Sequence, residues 1–237
     1  LLVLHFLVEK MTERIDDIGD GLKLIQRQDM FALGTDAVLL CKFASLYPGD
    51  RVIDLGTGTG AIPLLLSVRK KLNYIAGLEL QPGLVALCWR SIKLNNLEKT
   101  IEVINGDIRT VHKTFPPESF DLATCNPPYM PVTGSPINAT KSMAIARHEL
   151  CCQLDDVMKA FAWLVRYGGK AALVHRPQRL GDIFCLFREY GLEPKRLQFV
   201  YPRPGQEANM VLVEAEKGAQ PGLRTLAPLI LRGDDKN

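Results

Sequence analysis

The stretch Arg51-Val52-Ile53-Asp54-Leu55-Gly56-Thr57-Gly58-Thr59-Gly60 decides how this chain folds. Its first half is a short apolar run that reads as a buried strand. Its second half places glycine at every other position, at 56, 58 and 60. Glycine lets the backbone turn tightly and approach a ligand closely. The spacing is Gly-x-Gly-x-Gly, not the Gly-x-Gly-x-x-Gly of dinucleotide enzymes. A strand-to-helix turn over a nucleotide-like cofactor is one reading; a ligand-free turn is the other.

Outward from this turn, strands and helices alternate. Downstream, the pattern predicts a helix over 60–70, a strand over 74–79 and a helix over 82–95 with Pro82 in its first turn. Strands follow at 101–104 and 120–125. Leu150, Leu154, Val157, Met158, Phe161, Leu164 and Val165 have helical spacing, ending at Gly168-Gly169. A fifth strand at 170–175, a helix through Leu180, Ile183, Phe184 and Phe187, and strands near 196–201 and 209–216 complete the core. Upstream, Thr35-Asp36 offers an N-cap for a helix to about 46, stopped by Pro48-Gly49. The expected fold is α/β: seven strands, mainly parallel, a terminal antiparallel hairpin, and helices on both faces.

Ligands of such sheets bind beyond the carboxyl ends of the strands. Those ends carry Asp54, Glu79, Asp107 and Asn126. Glu79 can accept both hydroxyl protons of a ribose, or be a strand terminus facing water. Asp107 can accept from an adenine amino group with Ile108 over the ring, or merely cap the next helix. Asn126-Pro127-Pro128-Tyr129 follows the strand at 120–125. The Asn126 side-chain oxygen and the Pro127 carbonyl can accept two hydrogen bonds from one planar NH2. The prolines stiffen the loop that aims those oxygens, and the Tyr129 ring can stack on a base or amide. Glycine turn and amino clamp together point to methyl transfer to nitrogen.

Composition sets the frame. The 237 residues, 47% hydrophobic and 23% charged, suffice for one sizeable core. A net charge of +3 permits an anionic partner without requiring one. The segment 159–203 holds nine basic residues against three acidic, which reads either as an RNA-facing patch or as solvated helix faces. The six cysteines include no Cys-x-x-Cys pair, so no metal is expected and a reducing cytoplasm is the natural setting. Residues 1–10 are apolar but too short to span a bilayer and lack a basic leader, so no membrane is expected. They read as an upstream extension, with Met11 a plausible start. The expected organisation is an extension over 1–20 and a single domain over 21–237.

On these motifs the chain resembles the class I S-adenosylmethionine-dependent methyltransferases, which have a Rossmann-like fold, over about residues 30–216. Within them it resembles the group whose Asn-Pro-Pro-Tyr motif methylates exocyclic nitrogens. The resemblance implies S-adenosylmethionine as cofactor. Asp54, Gly56, Thr57, Gly58 and Gly60 would pass its methionine portion, Glu79 and Leu80 its ribose, and Asp107 and Ile108 its adenine. Asn126, Pro127 and Tyr129 would act on the methyl acceptor, with Asn126 also near the cofactor and Pro128 lining the acceptor site. A narrower resemblance comes from Gly34-Thr35-Asp36-Ala37-Val38-Leu39-Leu40, Ala146-Arg147-His148-Glu149 and Val174-His175-Arg176-Pro177. These stretches are similar to the bacterial tRNA1(Val) adenine-N6-methyltransferases, which act beside the anticodon. That implies tRNA as partner; Arg147 and His148 would touch it or else lie at a helix start, and Arg176 and Arg179 would touch it if the 159–203 segment is the RNA-facing patch. A protein-glutamine methyltransferase of the release-factor type, an rRNA guanine-N2-methyltransferase and a non-catalytic S-adenosylmethionine- or RNA-binding module remain alternatives.

Overall fold

The structure, a computed structural model, describes residues 13–27, 33–127 and 153–231. Residues 1–10 and the candidate residues Pro128, Tyr129, Arg147 and His148 lie outside the described residues.

The main sheet is built on β3 (Arg51–Leu55), β4 (Tyr74–Glu79), β5 (Ile101–Asn105), β6 (Phe120–Cys125), β7 (Val165–His175), β8 (Leu192–Tyr201) and β9 (Met210–Lys217). Strands β5, β4, β3, β6 and β7 are parallel neighbours in that order, and β9 returns antiparallel between β7 and β8. Alternate strand residues point to opposite faces, and both faces are covered. Val52, Ile75, Leu122 and Leu212 pack under α1 (Thr35–Phe43), α2 (Ala61–Ser67) and α3 (Pro82–Leu94). Ile53, Leu78, Leu173 and Val213 pack under α4 (Leu154–Leu164) and α5 (Leu180–Glu189). Burial on both faces is why these strands read as continuous apolar runs.

The structure departs from expectation at several places. Among the described residues the sheet has nine strands, two more than the expected seven. The extra two, β10 (Arg224–Thr225) and β11 (Leu229–Ile230), run parallel to β8 and cover its edge. Two-residue strands leave no periodicity to read. β7 starts at Val165 rather than 170, because the chain enters the sheet directly after α4 and absorbs Gly168, at φ 73°, in an irregularity opposite Phe120–Leu122. α2 ends at Ser67 and α1 at Phe43, each shorter than its pattern. α1 is capped by the backbone of Gly34, and the Asp36 carboxylate turns back onto the N–H of Ala37, 2.9 Å away.

Residues 13–27 form a hairpin, β1 (Glu13–Asp17) and β2 (Lys23–Arg27), and the boundary expected at residue 21 falls within its turn. The hairpin docks on α3. α1 and α2 lie side by side and run in the same direction. Cys41 Sγ is 3.8 Å from the Ile62 carbonyl, and Arg69, just past α2, donates to the carbonyls of Cys41, Lys42 and Ala44. Thr35 and Asp36 therefore stand at the glycine-loop end of the molecule.

Candidate active site

Strand pairing brings the predicted residues into one row. Leu55 on β3 pairs with Leu78 on one side and Cys125 on the other. The next residues along, Gly56, Glu79 and Asn126, are therefore neighbours at the carboxyl edge, and Glu79 in turn pairs with Asn105. Glu79 is buried, 2% exposed, so it is not a strand end facing water. One carboxylate oxygen accepts from the N–H of Gly58 and the other from that of Gln81, both at 2.9 Å. Each oxygen keeps a further lone pair for a hydroxyl donor. Asn105 Nδ2 donates to the carbonyls of Glu79 and Leu80, which fixes this strand end from its far side.

The three glycines of the loop all have positive φ, at 69°, 58° and 88°. A Cβ at Gly56 or Gly58 would meet nothing within 4 Å, so the space above them is open to a ligand. A Cβ at Gly60 would lie 2.5 Å from Cys88 Sγ, so this glycine admits α3 to the turn. Two further residues matter and carried no sequence signal. Gly77, inside β4, leaves room for Thr57, whose Cγ2 would be 2.8 Å from a Cβ there. Thr124, inside β6, donates to Asp54 Oδ1 at 2.7 Å.

Asp54 is completely buried. Its Oδ2 and the Thr57 hydroxyl each lack an aligned hydrogen-bond partner among the described residues, although the hydroxyl is close enough to favour the carboxylate. Burial outweighs the help of Thr124 and Thr57 and, with Glu79 nearby, raises the Asp54 pKa from 3.8 to about 7. The folded state thus holds a proton that the unfolded chain releases near pH 4. The associated stability is complete below that pH and is lost as pH rises through about 7. The rise corresponds to roughly 4 kcal/mol once Asp54 is fully ionised. Asp54→Asn is expected to gain thermal stability relative to the parent between pH 5 and pH 8, because the amide never ionises. Parallel unfolding curves with a pH-independent gap would show that Asp54 does not titrate there. His175, shared by both proteins, cancels in this difference.

Asp107 is already engaged. It caps the 3-10 turn Ile108–Lys113 by accepting from the Arg109 N–H at 2.9 Å, and the Arg109 guanidinium binds both its oxygens. These hydrogen bonds hold its carboxyl below the usual range. Ile108 lines a groove of 350 Å³ together with Arg109, His112, Lys159 and Trp163.

The basic segment 159–203 is not one patch. Lys159 pairs with Asp155, Arg166 with Asp121, and Arg188 with Glu193. Arg196 is bound to the buried Glu214, 3.0 Å away. Arg176 donates to the Asn209 carbonyl at 2.9 Å, and Arg179 pairs with Asp182. The sheet sends successive parts of this segment to opposite edges, which a linear charge count cannot see. Arg176, Arg179 and Arg203 remain on the carboxyl side. His175, at the end of β7, is buried and accepts from the Arg176 N–H at 2.8 Å. Burial, with Arg179 nearby, lowers its pKa to about 4. Among the described residues there is no His, Cys, Asp and Glu grouping able to hold a metal, and no helix long and apolar enough to cross a membrane.

The parallel sheet with an antiparallel β9, the open glycine turn and the acidic strand ends define a class I S-adenosylmethionine-dependent methyltransferase. Residues 39–120 match the TRM5/TYW2 methyltransferase domain family. A predicted O-methyltransferase from Agrobacterium tumefaciens has the same fold at a TM-score of 0.69 and 25% identity, over 85% of this chain and 89% of that one. Over 187 residues the chain is 30% identical to the tRNA1(Val) (adenine(37)-N6)-methyltransferase of Aeromonas hydrophila, covering 78% of this chain and 77% of that one. The enzyme of the same name from Shewanella sp. strain MR-4 is 26% identical over 225 residues, 94% and 89% of the two chains. The chain belongs to this tRNA1(Val) (adenine(37)-N6)-methyltransferase family.

Proposed function

We propose that the protein methylates N6 of an adenine in tRNA, beside the anticodon, with S-adenosylmethionine as donor. The observation that carries the reading is the row at one sheet edge in which Gly56 stands between Asn126, which opens the Asn-Pro-Pro-Tyr stretch, and Glu79. The residues present fit the cofactor. Gly56 and Gly58 leave its path open, Glu79 has acceptor capacity for ribose hydroxyls, and Asp107 and Ile108, just past the end of the neighbouring strand β5, are the residues we assign to its adenine. Bound there, the cofactor supplies an electrophilic methyl carbon.

The protein's task is to aim a poor nucleophile. The lone pair of an exocyclic amine is delocalised into its ring. Two hydrogen bonds, to Asn126 Oδ1 and to the Pro127 carbonyl, orient the NH2 and favour a pyramidal nitrogen. Pro128 and Tyr129 would hold the base. Catalysis is then positioning and electrostatics. Supplying labelled S-adenosylmethionine with tRNA, rRNA and release factor in parallel tests the assignment. Digestion is expected to yield N6-methyladenosine from tRNA. Label in a guanosine of rRNA or in a glutamine would overturn it.

The tRNA contact lies on the carboxyl side of the sheet, in a cytoplasmic setting where cysteines such as Cys41, Cys88 and Cys185 stay reduced. Affinity for tRNA is expected to fall steeply with salt through counterion release. Arg179→Glu with Arg203→Glu should weaken it and leave cofactor binding intact. Arg188→Glu, at the far end of α5, should not. Equal losses from both would show that charge alone, and not this face, attracts RNA.

A further inference from the structure

The N-terminal hairpin is tied to α3 by polar bonds along its whole length. Arg90 binds Glu13 through two hydrogen bonds, at 2.9 and 2.7 Å. Ser91 Oγ accepts from the Ile25 N–H at 3.0 Å. Asn95 accepts from the Lys23 N–H at 2.8 Å and donates to the Lys23 carbonyl at 2.6 Å. Lys23 therefore lies by the last turn of α3 and Ile25 one turn earlier. β2 climbs antiparallel to α3, toward the edge where Glu79 and the glycine loop lie.

Near the top of β2 sits Gln26, only 3% exposed. A buried amide is costly unless both its ends are bonded. Here both are. Nε2 donates to Asp16 on β1, and Oε1 accepts from the N–H of Leu33, seven residues further on, at 2.6 Å. Leu33 immediately precedes Gly34, the N-cap of α1. α1 itself is held alongside α2 by Cys41, against Ile62, and by Arg69, so its first turn projects past Ile62 toward the end of α2 that follows the glycine loop. An apolar side chain of the same size would fill the Gln26 site without any desolvation cost. What the amide adds is direction: it fixes the Leu33 N–H, and with it the start of α1, to a hairpin anchored on the helix that follows Glu79.

We propose that Gln26 is a positioning residue for the cofactor, setting the Gly34-Thr35-Asp36 turn against the glycine loop through Leu33. The inference rests on S-adenosylmethionine being the cofactor. Gln26→Met keeps the volume and removes both hydrogen bonds. Calorimetry with S-adenosylhomocysteine is expected to show affinity about ten-fold weaker, the worth of one lost buried hydrogen bond. The KM for S-adenosylmethionine should rise more than kcat falls. In the ligand-free protein, hydrogen exchange at the Leu33 amide should accelerate. Asn95→Ala is the control: it removes two hairpin bonds to α3 without touching Leu33. It should lower the melting temperature and leave cofactor affinity at the parent value. Parent-like affinity in Gln26→Met, or an equal loss in Asn95→Ala, would overturn the proposal. A parent that fails to bind S-adenosylhomocysteine would instead contradict the cofactor.

Discussion

Asn126→Ala is expected to lower the single-turnover methylation rate about a hundred- to a thousand-fold, the usual cost of removing one preorganised polar partner of a transition state. Differential binding sets the size of this effect. Asn126 follows Cys125, whose pairing with Leu55 sets it next to Gly56 at the carboxyl edge, where we propose that cofactor and acceptor meet. The hydrogen bond we propose from the target amine to Asn126 would strengthen as that nitrogen becomes pyramidal, and only an interaction that grows toward the transition state accelerates the step. Binding of tRNA should change little, because phosphate contacts elsewhere dominate RNA affinity. The measurement is the single-turnover rate at saturating cofactor and tRNA. A near-parent rate would sink the amino clamp, even with methyltransferase activity established.

The second large effect is on the cofactor. Removing ribose hydrogen bonds to a carboxylate costs on the order of 1.5–3 kcal/mol, so Glu79→Ala should weaken binding roughly ten- to a hundred-fold. The structure adds a second contribution. The Glu79 carboxylate also holds the N–H groups of Gly58 and Gln81, so its loss frees the glycine loop as well. Glu79→Gln separates the two. The amide keeps one acceptor oxygen but offers N–H in place of the other, so it can satisfy only one of the two backbone donors. Its affinity is expected between parent and Glu79→Ala. Unchanged calorimetric affinity in Glu79→Ala would remove this residue from the site.

Much of this was legible in the chain because local and global signals agreed. The run 51–60 reads as strand, turn and helix start, and it folds as such, since β3 is buried on both faces and only glycine tolerates the positive φ that follows. The position of Glu79 and Asn126 at one sheet edge was legible because parallel topology brings strand ends together whatever their sequence separation. Asp107 was legible only as a choice between ligand and cap. The structure shows the cap, together with an ion pair to Arg109 that no spacing rule announces.

By itself, then, the order of apolar runs, glycines and strand-end polar residues determined the fold class, the edge of the sheet to which the chemistry is assigned and the family resemblance. Those are properties of short segments and of the direction in which they alternate. Tertiary structure decided what depends on residues distant in sequence. It buried Asp54 against Thr124, seventy positions away, and so moved its titration toward neutrality. It gave Gly60 and Gly77 their reasons, through Cys88 and Thr57. It scattered the basic segment 159–203 over opposite edges, binding Arg196 to buried Glu214 and Arg176 to the Asn209 carbonyl. It also joined Gln26 to Leu33 and the hairpin to α3. Electrostatic environment and packing are sums over neighbours in space, and only the folded chain defines who those neighbours are.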